Sequence, residues 1–128
     1  MVQLEQMKQS MNTLLKASLV MISFVMLMPA MGADSPDDSA RKRRAGLWRS
    51  STQAESNRQY DAALTAMDQY EQAGGDGYLT ALRRGCLCYL KKDYQQAKVN
   101  YSDANRANPG AMSPLLGILN CCQALGDQ

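Results

Sequence analysis

The residues best suited to chemistry in this chain are four cysteines, Cys86 and Cys88 spaced C-x-C and the adjacent pair Cys121 and Cys122. Four thiolates can hold a metal ion, but tetrahedral zinc sites use wider spacers. On a helix, thiols one or two positions apart point to different faces. No metal is expected. Histidine is absent, so a cysteine nucleophile has no imidazole to deprotonate it, and histidine-based triads are excluded. Gly74, Gly75 and Gly77 lack the following Lys-Ser or Lys-Thr of a phosphate-cradling loop. The chain therefore reads as non-enzymatic and cofactor-free. The cysteines themselves leave two readings open, buried small hydrophobes or oxidised partners in an exported protein.

Export is suggested by the N-terminus. Ala17 to Met28, ASLVMISFVMLM, is an apolar run preceded by Lys8 and Lys16 and followed by PAMGAD, the layout of a secretory signal. Its core of 12 residues falls short of the roughly 20 that cross a bilayer as a helix. Small residues at Ala30 and Gly32 suit a peptidase cut that leaves a mature start near Ala33 or Asp34. An uncleaved anchor over residues 17–33 is the alternative, giving membrane association, and translation from Met11 is equally consistent with the residues. Either route takes the domain out of the cytosol, with the bacterial periplasm or cell envelope as the expected place. No cysteine stands in the residues directly after the apolar run, PAMGADSPDDSA, so a bacterial lipid anchor is not expected.

Residues 1–33 are thus read as signal peptide or anchor, and residues 34–43 as a flexible linker beginning DSPDDSA. The basic run Arg41 to Arg44 reads as the solvated opening of a first helix, with attraction to anionic lipid or an acidic partner as the alternative. Fourteen basic against twelve acidic residues give a net charge of +2, too balanced to call for nucleic acid.

The remaining residues, 44–128, carry helical punctuation. Tyr60, Ala63, Leu64, Met67, Tyr70 and Ala73 recur at three- and four-residue steps, and Gly74-Gly75 stops that helix. A second helix is expected from Gly77 or Tyr78 to about Lys91. Asp93 is placed to cap a third with the stripe Tyr94, Ala97, Tyr101, Ala104 and Ala107, before Asn108-Pro109-Gly110. A last segment runs from Pro114 to Leu125 and ends at Gly126. Tyr60, Ala63, Met67 and Ala73 precede Tyr94, Ala97, Tyr101 and Ala107 by one shared interval, and Cys88 and Asp93 recur at the same interval as Cys122 and Asp127. That period predicts an all-α fold of antiparallel helical hairpins, about five helices after the signal segment.

Gly85 at the helix contact, Asp93-Tyr94 in the turn, the small, aromatic, small series Ala97, Tyr101 and Ala104, and Pro109 at the close resemble the tetratricopeptide repeat. That unit is a helix-turn-helix of about 34 residues, the interval at which this chain recurs. The resemblance divides the chain into 44–77, 78–111 and a partial 112–128, stacked as a right-handed α-solenoid. Ala81, Arg84 and Cys88 depart from the family pattern, and the first unit ends on glycine. By the resemblance, first helices of neighbouring units pack side by side, which implies a Cys88 to Cys122 disulfide. It also implies a concave, partner-binding groove lined by Trp48, Thr52 and Glu55, then Leu82, Cys86 and Tyr89, then Asn120 and Gln123, with Trp48 and Tyr89 as aromatic anchors. Thr52 and Cys86 stand where the family's chaperone-tail clamp uses asparagine, so that mode is not expected.

The function this implies is a non-catalytic exported scaffold or adaptor for a protein or peptide partner. Two alternatives stand beside it: the front of a larger envelope protein or enzyme, or a membrane-tethered assembly subunit. The last segment, LLGILNCCQAL, is apolar on several sides, and self-association or partner docking through it is expected at micromolar concentration.

Overall fold

A computed structural model of the chain describes residues 2–10 and 35–126. Residues 2–10 are helical and exposed and belong to a separate unit, Met1–Ala33. The signal, cleavage and anchor expectations over residues 11–33 lie outside the described residues. The second unit contains five helices: α1 (Pro36–Ser56), α2 (Tyr60–Gln72), α3 (Gly77–Leu90), α4 (Tyr94–Ala107) and α5 (Met112–Leu125). Among the described residues there is no strand, and no helix long and apolar enough to cross a membrane.

The start of α1 corrects the linker expectation. Ser35 caps the helix by accepting from the Asp38 N–H, a proline opens the first turn, and Asp37 and Asp38 sit there as well. Acidic side chains near a helix N-terminus are favoured by the macrodipole, and proline at the first helical position costs no hydrogen bond. Arg41 adds a 2.9 Å ion pair to Asp38, one turn back. The same residues that make DSPDDSA polar therefore cap and charge a helix start, and the basic run continues α1 rather than opening it.

Each helix packs on the next in sequence, and α3 also packs on α5. The C-terminal ends of α1, α3 and α5 repeat. Arg58, Lys92 and Gly126 all have positive φ, 58°, 67° and 73°, and stand one repeat period apart. At the first two turns the chain closes alike: the Gln59 N–H donates to the Ala54 carbonyl at 2.8 Å and the Asp93 N–H to the Cys88 carbonyl at 2.9 Å. Left-handed backbone at a helix C-terminus suits glycine best, and only the last of the three positions has it. Asp76 and Asp93 cap α3 and α4 through the N–H groups of Leu79 and Gln96. The turn at Asp93 thus falls where its spacing predicts.

The core is built twice on one plan. Ala63 and Met67 of α2 bury against Leu87 of α3, and Ala97 and Tyr101 of α4 bury against Cys121 of α5. Each member of the second set lies one period after its counterpart in the first. Outside the core, Arg84 answers to two carboxylates of α2, Asp68 at 2.5 Å and Glu71 at 2.7 Å. An arginine at this departure from the family pattern therefore latches α3 to α2 at the surface. Such exposed pairs contribute little each, about 0–1 kcal/mol.

Candidate functional site

Positions 79, 82, 83 and 86 follow an i, i+3, i+4, i+7 step and so share one face of α3. Leu79, Leu82, Arg83 and Cys86 on that face line an open groove of ≈ 510 Å³. Ser113, Leu116, Gly117 and Asn120 of α5 line its other wall, each one period after its α3 counterpart. Trp48 of α1, one period before Leu82, closes one end, and Tyr101 lines it from α4. One set of repeat positions, taken from successive helices, therefore makes the surface.

The floor is set by a close approach. The Tyr101 ring lies between α3 and α5, where a Cβ at Gly85 would sit 2.7 Å from it and one at Gly117 2.6 Å. Any side chain at either position would collide with the ring. Gly85 reads from sequence as the helix contact. The glycine across the ring, Gly117, does not, because a single glycine in LLGILN carries no turn signal.

Arg83 stands at the centre of the groove's electrostatics. Its guanidinium ion-pairs with Glu55 of α1 and lies 5.8 Å from the centroid of the Trp48 ring, within cation–π range. Trp48 is held in turn by an edge contact to Tyr70, with ring centroids 5.5 Å apart at 63°. Burial pushes the Cys86 thiol up from its ordinary value, Glu55 adds to the rise and Arg83 opposes it. The groove thus offers an apolar wall, a neutral thiol, one amide at Asn120 and a fixed guanidinium. Among the described residues no group of three or more Cys, Asp or Glu is placed to hold a metal ion.

Of the residues expected in the groove, Trp48, Leu82, Cys86 and Asn120 line it. Glu55 stands behind it as the partner of Arg83. Thr52 is exposed and spends its hydroxyl on the Trp48 carbonyl at 3.1 Å. Gln123 is exposed and outside the lining. Tyr89 is turned away: it packs on the α3–α4 core and meets Tyr94 edge-on with centroids 5.2 Å apart. Its contacts are packing contacts, and it does not line the groove.

The chain matches no family model, no curated protein and no solved structure. The tetratricopeptide resemblance therefore rests on the residues that carry it.

All four cysteines are free thiols. The resemblance joined Cys88 to Cys122, but the structure puts Cys121, not Cys122, in the core cluster with Cys88. Cys88 also takes a 3.5 Å hydrogen bond from the buried Asn100 amide. Burial raises the Cys88 and Cys121 thiols above their ordinary values, with Asp93 adding to the first and Cys122 to the second. Neutral, buried thiols are poor nucleophiles and slow to oxidise.

Proposed function

We propose that residues 44–128 form a tetratricopeptide-like solenoid that acts as a non-catalytic scaffold, holding a peptide segment of a protein partner in the groove between α1, α3 and α5. The observation that carries this reading is the repetition of the lining. Leu79, Leu82, Arg83 and Cys86 are followed one period later by Ser113, Leu116, Gly117 and Asn120, so the groove is built from the repeat rather than left over between helices. Concave, mostly apolar surfaces with a few fixed polar groups are where peptides dock. The apolar run at residues 17–28 supports an exported setting, the periplasm or envelope.

Peptide display against the full chain tests the proposal. Selected peptides should lose at least about tenfold in affinity to a Leu82→Glu or Leu116→Glu variant that keeps its helicity, since each places a charge on the apolar wall. Selected peptides that bind both variants as well as the parent would count against the groove.

A second reading is favoured by α5. Its Met112, Leu115 and Leu119 are exposed, Leu119 at 52%, whereas the α3 counterpart of Leu119, Gly85, is buried under Tyr101. A covering element supplied by a larger envelope protein or by a second copy would bury that face. Light scattering of the full chain at micromolar concentration checks the second-copy form, which a clean monomer would rule out.

A further inference from the structure

A second cavity lies on the other side of Trp48, and its chemistry differs from that of the groove. We infer that it is a docking site for an acidic peptide segment, one that seats an apolar side chain between carboxylates. The inference rests on the peptide-scaffold reading and adds to it the chemistry of the partner.

The cavity is an open recess of ≈ 500 Å³ between α1, α2 and α3. Trp48, Tyr70 and Leu79 make its floor, and Arg41, Arg44 and Arg49 stand around it. The floor is rigid, because Trp48 and Tyr70 brace one another edge-on, and Leu79 is 41% exposed at its edge. An aliphatic or aromatic side chain resting there would bury apolar surface on both partners.

The rim is positive, and only one of its three arginines has an ion-pair partner among the described residues. No carboxylate lines the cavity. Arg41 is partly neutralised by Asp38, but Arg44 and Arg49 have no ion pair among the described residues. Arg44 is nonetheless held in place, its guanidinium donating at 3.3 Å to the Ala73 carbonyl at the C-terminal end of α2. The Arg49 Nε donates to the Ala45 carbonyl one turn back, which leaves its terminal nitrogens for a ligand. Two guanidinium groups beside an aromatic floor, one of them held to the end of α2, fit carboxylates flanking an apolar residue, since charge-assisted bonds from arginine to carboxylate are strong and geometrically selective. A concave recess with an aromatic floor suits a peptide side chain better than the flat face of a bilayer.

The test uses the full chain and two fluorescein-labelled peptides, one with a leucine between two pairs of glutamates and the other with glutamines in their place. Anisotropy should report binding of the acidic peptide, at least tenfold weaker binding of its glutamine counterpart, and a similar loss for an Arg44→Gln, Arg49→Gln double variant of unchanged helicity. The affinity should fall as salt rises. If both peptides bind equally, ignore the arginines and are lost in Leu116→Glu, the inference fails while the groove reading stands. Should neither peptide bind while phosphatidylglycerol vesicles bind through Arg44 and Arg49, the site is a membrane contact and the inference is overturned. Absence of binding to peptides and vesicles alike overturns it too.

Discussion

The two layers of the core occupy equivalent positions and solve the packing problem differently. In the layer between α2 and α3, Met67 fills the space against Leu87. In the layer between α4 and α5, a tyrosine stands at the Met67 position, and room for its ring comes from Gly85 on one side and Gly117 on the other. The flexible thioether adapts to its neighbours, whereas the rigid ring requires its neighbours to give way. A repeat therefore preserves where helices meet without preserving which residue fills the contact. The second layer carries the thiols as well, Cys88 and Cys121, and it borders the groove through Tyr101 and Gly117.

The largest effect should come from emptying the layers. Tyr101→Ala is expected to cost about 3–5 kcal/mol and Met67→Ala about 2–5 kcal/mol in urea unfolding, because two glycines leave the tyrosine cavity nothing with which to collapse. A smaller loss at Tyr101 than at Met67 would break the comparison. Gly117→Ala should cost about 1–3 kcal/mol by overpacking against the ring. The same substitution in a Tyr101→Met background should cost less, a non-additivity that a double-mutant cycle measures. Equal penalties in the two backgrounds would show that the ring is not what the glycine accommodates.

The turns sharpen the comparison at a smaller scale. Lys92→Gly and Arg58→Gly should each raise stability by about 0.5–1 kcal/mol, since both positions hold a left-handed backbone in which a side chain is strained. The pH dependence should separate the layers again. With the Cys88 and Cys121 thiols raised in the folded state, stability is full below the unfolded thiol value of about 8.5. Above it the unfolded chain gives up protons that the folded chain keeps, so stability falls as pH rises. Urea midpoints between neutral and alkaline pH should therefore decline, and a Cys88→Ala, Cys121→Ala variant should decline less. An identical slope in that variant would remove the thiols from the account.

Much of this was legible in the residues. The repeat spacing, Asp93 as a cap and Gly126 as a stop mark helix ends by local chemistry, and local chemistry is what a sequence displays. Trp48, Leu82, Cys86 and Asn120, which line the groove, were implied by the tetratricopeptide resemblance rather than by any local signal. What escaped depends on contacts between distant segments. Arg83 acquires its place from Glu55 and Trp48 on another helix, and Gly117 from a ring on α4. Tyr89 falls outside the groove lining because an aromatic residue next to that face packs equally well on a neighbouring helix, here against Tyr94. The stretch at residues 34–43 was misread because its serine, proline and acids favour a linker and a helix start alike.

The central claim is that equivalent positions of α1, α3 and α5 form one peptide-binding surface. Chemical-shift mapping of the full chain with a display-selected peptide tests it most directly. The account predicts that perturbations gather at the Trp48 indole and at Leu82, Cys86, Leu116 and Asn120. Perturbations that instead gather on the outer face, around Asp61, Lys91 and Val99, would contradict it.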